Sequence, residues 1–277
     1  MLAGAPKSGK SWLGLQLAFA VAAGTAPAGT RQACEQAPAH AFALDDRSER
    51  RVQRRLDAIG GAKPWPRDLT YWTQGVSRGT AFRDDLARYL DRHPTARLVV
   101  IDTLEYVRAD KSMGDSHYRA DVKALDTIRQ VHDQHPDVTV LCLAHTRKGD
   151  DDDPLEAVSG THGVSGGADA VLVLTGKRGT GRRQLDVIGR DDDDRTMVMT
   201  LTANGLTLTA DDPNDPAALM TPPHAAVYRH MQAFGVPVAP SDVQQALPDV
   251  PNVKNIMLKL HANGHVVKVG RGLYAVD

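Results

Sequence analysis

The sequence predicts an α/β protein with a central, mostly parallel sheet, followed by a small C-terminal domain. Three observations carry that expectation. Short runs rich in Val, Ile and Leu recur along the first two thirds of the chain, the form taken by strands buried on both faces. Between them lie segments long enough for crossover helices. From Asp211 to Pro223 the composition changes to DDPNDPAALMTPP, where repeated proline and lost periodicity mark a linker.

In chain order, Ser11 to Ala23 reads as a helix, Ala41 to Leu44 as a strand, and Arg51 to Ile59 and Thr80 to Asp91 as two helices. Leu98 to Ile101 is the next strand, Tyr118 to His135 a helix, and Val138 to Leu143 and Ala170 to Leu174 are strands. Gln184 to Val187, Thr196 to Leu201 and Leu206 to Leu208 follow as short strands joined by turns such as Asn204-Gly205, an antiparallel extension of the sheet. The first domain is thus expected over 1–210, the linker over 211–223 and the second domain over 224–277. In the second, His224 to Phe234, Pro240 to Leu247 (opened by Ser241) and Asn252 to Ala262 read as helices. A hairpin closes it: His265 to Val269, a Gly270-Arg271-Gly272 turn, then Leu273 to Val276. Three helices and a terminal β-wing make a winged-helix pattern, or simply a packing module.

Composition narrows the function. With 33 Lys+Arg against 34 Asp+Glu the formal charge is 33 − 34 = −1, which argues against a wholly basic nucleic-acid coat. Hydrophobic residues at 42% and charged residues at 24% are those of a globular chain, not a disordered one. Leu15 to Ala23 and Leu98 to Ile101 fall well short of the ~20 apolar residues of a membrane helix, so no membrane partner is expected. Met1-Leu2-Ala3 leads directly into a glycine-lysine loop without the features of a secretory signal, so a cytoplasmic location is expected. Cys34 and Cys142 are far apart and in no CxxC pairing, which supports neither a disulfide framework nor a zinc site.

Residues 4 to 11 read GAPKSGKS and fit GxxxxGK[ST], with Gly4, Gly9, Lys10 and Ser11 in the defining places. Glycines let the backbone of Gly4, Ala5, Pro6, Lys7, Ser8 and Gly9 curl so that N–H groups face phosphate oxygens, and the helix entered through Ser11 and Trp12 adds its N-terminal dipole. Lys10 is then expected to bridge the β- and γ-phosphates of ATP, and the Ser11 hydroxyl to sit on Mg²⁺. A phosphate loop normally follows a full strand; only three residues precede Gly4, so an N-terminal segment is expected to be missing.

Leu98-Val99-Val100-Ile101-Asp102 is an apolar strand ending in an acid, the form of a Walker B element, and Asp102 is expected to hold the Mg²⁺ hydration shell. Thr103 follows where many such ATPases carry glutamate, so the group that activates water must come from elsewhere. Phe42-Ala43-Leu44-Asp45-Asp46 offers it, a strand ending in two carboxylates, either of which can orient the attacking water. Behind it, Arg47, Arg50, Arg51, Arg54 and Arg55 make a basic helix face, which is either solvated or in contact with DNA or a neighbouring subunit.

GAPKSGKS, the ALDD run followed by RRVQRRL, LVVIDTL, and VLCLAHTRKG followed by VSGTHGVSGGADAVLVL together resemble the RepA-like branch of the RecA/DnaB-type P-loop ATPases, the hexameric replicative helicases of plasmids and phages. The resemblance covers about residues 1 to 208. It implies a RecA-like core, a homo-oligomeric, hexameric ring and ATP hydrolysis at subunit interfaces. Lys10 and Ser11 match the Walker A pair and Asp102 the Walker B acid. The family's catalytic glutamate falls on Asp45 by strand alignment and on Asp46 by counting back from Arg55-Leu56. His145, after the fourth strand, matches the residue that senses the γ-phosphate, and Arg190 the basic residue that reaches a neighbour's nucleotide. Otherwise Arg190 is a hairpin arginine paired with Asp191 to Asp194.

The resemblance makes the chain an ATPase and a DNA helicase, or else an ATP-gated DNA-binding protein or helicase loader with little turnover. It places single-stranded DNA near Arg108 to Arg119 and Lys148 to Gly167. The second region opens with Asp150 to Asp153, four carboxylates that repel phosphates, and at 5% aromatics stacking platforms are scarce. On the C-terminal wing, Asn252, Lys254, Asn255 and Lys259 on the third helix and Arg271 in the turn are the expected contacts to duplex DNA, the competing reading being a protein-docking or autoinhibitory wing.

Overall fold

The computed structural model describes residues 1–45, 48–108, 117–146, 167–176, 180–190, 193–209 and 216–276. The chain divides into two compact units, Met1–Thr175 with Gln184–Thr209, and Gly176–Arg183 with Ala210–Asp277.

The first unit is a nine-stranded sheet between two helical layers. Its strands are β1 Leu2–Gly4, β2 Ala39–Ala43, β3 Leu69–Trp72, β4 Leu98–Asp102, β5 Thr139–His145, β6 Ala170–Thr175, β7 Arg182–Gly189, β8 Arg195–Thr202 and β9 Gly205–Leu208, in the order β3-β2-β4-β5-β1-β6-β7-β8-β9. From β3 to β6 every pairing is parallel; β6 with β7 and β8 with β9 are antiparallel. The helices are α1 Lys10–Ala23, α2 Glu49–Gly60, α3 Gly79–Arg92, the single turn α4 Leu104–Val107, and α5 His117–Gln134.

Side-chain alternation decides which layer covers which face. In β2, Ala39, Ala41 and Ala43 face the cluster built with Leu13, Phe19 and Leu56 of α1 and α2, and their small size lets those helices approach. Phe42 points the other way, to Phe82, Leu86 and Ile128 of α3 and α5. The same split separates Val100 from Val99 and Ile101 in β4. Helix α1 is also sewn to the antiparallel part of the sheet: Gln16 Nε2 donates to Leu206 O at 2.8 Å and Gln16 Oε1 accepts from Leu206 N at 2.9 Å, both buried.

Strand β1 has three residues, all buried, and lies in mid-sheet, Leu2 opposite Leu143 and Leu172 and Gly4 opposite His145 and Leu174. Sequence reasoning missed β3, an edge strand with alternate residues half buried. Its exposed Trp72 joins an aromatic group in which the rings of His40, Phe42, Trp72 and Tyr89 pack 4.5–5.8 Å apart, while the half-buried Leu69 and Tyr71 pack on the α1 and α2 side.

In the second unit a 3-10 turn Pro216–Leu219 precedes α6 Pro222–Phe234, α7 Pro240–Ala246, α8 Val253–Ala262 and the hairpin β10 Val267–Gly270, β11 Leu273–Ala275. Val227, Met231, Met257, Leu260 and Tyr274 build its core, to which Ala217 and Met220, from the stretch read as linker, also belong. Asn252, Lys254, Asn255, Lys259 and Arg271 are exposed. Among the described residues no helix is long and apolar enough to cross a membrane.

Candidate functional site

The carboxyl ends of β1, β2, β4 and β5 converge where the chain leaves β1, in mid-sheet, for β2 near one edge, the topological position at which open α/β sheets bind ligands. Gly4 ends β1. It lies so close to its neighbour that a Cβ there would stand 2.5 Å from Leu174 O and 2.9 Å from Ser8 Oγ. The chain then turns, with Ser8 N donating to Ala5 O at 3.1 Å and Lys7 at φ 66°. Ala5, Pro6 and Lys7 are exposed and Ser8 is buried.

Gly9 caps α1 at φ 116°, a conformation that favours glycine, and it makes no side-chain cap. Leu13 N, bonded to Gly9 O at 3.0 Å, is the first to close a helical turn, so the N–H groups of Lys10, Ser11 and Trp12 have no intrahelical acceptor. No acid lies in this first turn, whereas α2, α4 and α7 carry Glu49, Glu105 and Asp242 there. The positive end of α1 is thus left for an external anion.

Lys10 is the charged centre of the site. Only 5% exposed, its Nζ donates to Gly4 O at 2.7 Å and Ala5 O at 3.1 Å and stands 3.2 Å from His145 Nδ1. An ammonium has only hydrogens to offer, so Nδ1 is the acceptor in that pair. Burial pulls the Lys10 pKa down to about 8, against the upward pull of Asp102 and then Asp45. His145, at the exposed end of β5, is held below its ordinary value by burial first and by the Lys10 cation second, with Asp45, Glu105 and the Gly4 backbone opposing. Lys10, Asp102, Asp45 and His145 thus form one electrostatic group.

Asp102 is 5% exposed at the end of β4, and its main-chain oxygen accepts from Leu44 N at 2.7 Å and Asp45 N at 3.0 Å. That fork fixes the turn after β2 and presents Asp45, which is exposed, beside the group. Asp46 lies outside the described residues, as do most of the two segments expected to meet single-stranded DNA. Glu105 turns to Arg108 at 3.3 Å. Arg190 stands apart: β7 runs antiparallel to β6, and Arg190 N bonds Asp169 O at the amino end of β6, the end remote from Gly4. Its guanidinium is 3.6 Å from the Asp169 carboxylate.

Sequence reasoning missed three features. Trp12, on the first turn of α1, lies under the Arg55 guanidinium 5.5 Å from its ring centre, which ties α2 to the phosphate loop. Lys10 and His145 are hydrogen-bonded although 135 residues apart, which no local pattern signals. Thr103 Oγ1, next to Asp102, is buried without a hydrogen-bond partner among the described residues.

The donor set fits a magnesium-bound triphosphate. Mg²⁺ takes one or two protein oxygens, the rest of its octahedron being water and phosphate, and Asp102 and Ser11 are oxygen donors of that kind. Among the described residues no three His, Cys, Asp or Glu side chains converge to make an all-protein metal cage, and such an ion does not require one.

In comparisons with known proteins, a DnaB-like replicative helicase, solved with its interactions with primase, is similar over 74% of this chain at 14% identity and a TM-score of 0.59; this chain covers 57% of that one. A second solved ATPase domain is similar over 74% of this chain and 82% of its own length, at 12% identity and a TM-score of 0.57. At such identities the likeness is one of fold, a RecA-like core. No curated protein matches the chain. The family described as AAA domain matches residues 1–151, more than half of the 277 residues. The chain belongs to the AAA-domain family.

Proposed function

We propose that the chain is a Mg²⁺-dependent ATPase of the RepA-like type, a DNA helicase or replication ATPase of a plasmid, phage or mobile element, working as a homo-oligomer. The observation that carries this reading is the placement of Lys10 between the Gly4 and Ala5 carbonyls, His145 and the field of Asp102, at the uncapped start of α1. A buried ammonium beside free helical N–H groups suits the γ- and β-phosphates of a nucleoside triphosphate. When bound, Mg²⁺ supplies charge neutralisation on the phosphate oxygens.

Lys10 exchanges its carbonyl and imidazole acceptors for phosphate oxygens, and His145 is released to follow the γ-phosphate. Asp45, or Asp46 one residue on, accepts a hydrogen bond from the attacking water and orients it in line. Arg190 of another copy reaches the same phosphates. Single-stranded DNA is the proposed partner of the core, and duplex DNA that of the exposed face of α8 with Arg271.

Titration with Mg²⁺ and ATP in a calorimeter tests the reading: heat is expected from the wild type and none from Lys10→Ala, and equal heats would refute it. One feature favours a second reading, an ATP-gated DNA-binding protein or loader. Aspartate stands where the resembling family carries glutamate, one methylene short of the water. Phosphate release stimulated by single-stranded DNA, with strand separation, identifies the motor; tight binding with negligible turnover identifies the switch.

A further inference from the structure

Helix α2 displays a stripe of like charge. Arg50, Arg51 and Arg54 are all exposed, while Val52 and Leu56 hold the helix to the core. Arg50 and Arg54 are an i,i+4 pair, and like charges at that spacing weaken a helix. Neither has an ion-pair partner among the described residues. The opposite charge sits elsewhere in the same unit. The run Asp191 to Asp194 follows Arg190 in sequence, and Asp193 and Asp194 are exposed.

The two features cannot meet within one chain. Helix α2 leaves the carboxyl end of β2, beside the phosphate loop, whereas Asp193 and Asp194 lie between β7 and β8, beyond the end of β7 at the opposite end of the strands. Strands β2 and β7 are five positions apart in the sheet, about 24 Å at ~4.8 Å per strand, and a five-residue strand adds about 16 Å along its axis. Two complementary surfaces at opposite corners of one molecule are the geometry of a head-to-tail contact, which closes into a ring or runs on as a filament.

We propose that the arginine face of α2, through Arg50 and Arg54, docks on Asp193 and Asp194 of a second copy of this chain. The contact rests on the trans role of Arg190 given above and deepens it. Arg190 immediately precedes the acidic run, so the same docking carries it toward the neighbour's phosphate-loop end, where α2 begins. The acid pair is the register device and the arginine beside it the chemical one.

The test is charge exchange in the full-length chain, read as assembly by sedimentation velocity with and without Mg²⁺ and a nonhydrolysable ATP analogue. Arg50→Glu with Arg54→Glu, and separately Asp193→Lys with Asp194→Lys, are each expected to raise the concentration needed for assembly at least about tenfold. The chain carrying all four substitutions is expected to recover, and wild-type assembly to weaken with salt. If the fourfold variant assembles no better than either pair, the proposal is overturned. It is also overturned if reversing the arginines weakens binding of single-stranded oligonucleotide and leaves assembly intact, which would make the face a nucleic-acid surface. Should Arg50→Glu with Arg54→Glu fail to fold, Arg50→Gln with Arg54→Gln carries the same expectation. Nucleotide heat, measured on every variant, is expected to persist. Its absence from the wild type would refute the ATPase reading, while recovery of assembly in the fourfold variant would still uphold the contact.

Discussion

The burial of Lys10 makes its charge, and with it the proposed nucleotide binding, sensitive to pH in a range where an ordinary lysine is inert. With a pKa of about 8 in the free protein, Lys10 is protonated in roughly nine molecules of ten at pH 7 and one in ten at pH 9. If triphosphate binds the ammonium form and holds it charged, the dissociation constant for Mg²⁺ and ATP rises about tenfold over that span, ~1.4 kcal/mol. A lysine at its ordinary 10.5 would change it by only a few per cent. His145 is held below its usual value and so stays neutral over this span. The assay is competition binding at constant ionic strength from pH 7 to 9, on wild type and Lys10→Ala. A flat wild-type profile, or the same slope in Lys10→Ala, would refute the reasoning.

Other outcomes test the fold that supports the site. Gln16→Leu leaves the buried N–H and C=O of Leu206 without partners and is expected to cost about 2–4 kcal/mol in urea unfolding. Gly4→Ala sets a methyl 2.5 Å from Leu174 O and is expected to cost at least ~1–3 kcal/mol by the same measurement, with nucleotide binding weakened. His40, 1% exposed, is lowered to about 4, chiefly by burial and then by His93, so between its ordinary 6.5 and 4 the unfolded chain binds the extra proton. Stability is therefore present above pH 6.5 and falls by about 2–3 kcal/mol down to pH 4.5, a slope that His40→Phe should flatten.

Most of the parallel sheet is legible in sequence because its strands are buried on both faces and need no alternation to be seen, as with Leu98 to Asp102 and Thr139 to Leu143. Strand β3 was not, because Leu69–Trp72 is short, lies at an edge, and owes its place to the His40, Phe42 and Tyr89 rings, which tertiary contact alone assembles. In the site, Gly4 to Ser11 and Asp102 follow from local chemistry: glycine where a Cβ cannot fit, lysine and serine at a helix start, an acid at a strand end. The link from Lys10 to His145 depends on β1 and β5 being neighbours in register, and nothing in either segment announces that pairing.

The same contacts explain why an arrangement so costly to the nucleotide-free protein persists. Lowering Lys10 from 10.5 to about 8 means that folding disfavours its charged form by ~3 kcal/mol below pH 8, a cost relieved only as pH rises toward 10.5. The Gly4 and Ala5 carbonyls and His145 Nδ1 do not offset it fully, since they are neutral acceptors for a full charge. A core built only for stability would place an apolar side chain there. In the proposed reading, an anion with several oxygens resolves the imbalance, at the point where the first turn of α1 offers N–H groups and carries no acid of its own. If nucleotide binds as proposed, binding and folding are coupled through one ammonium: phosphate should raise the Lys10 pKa and the stability together, and the stability gain should be lost in Lys10→Ala.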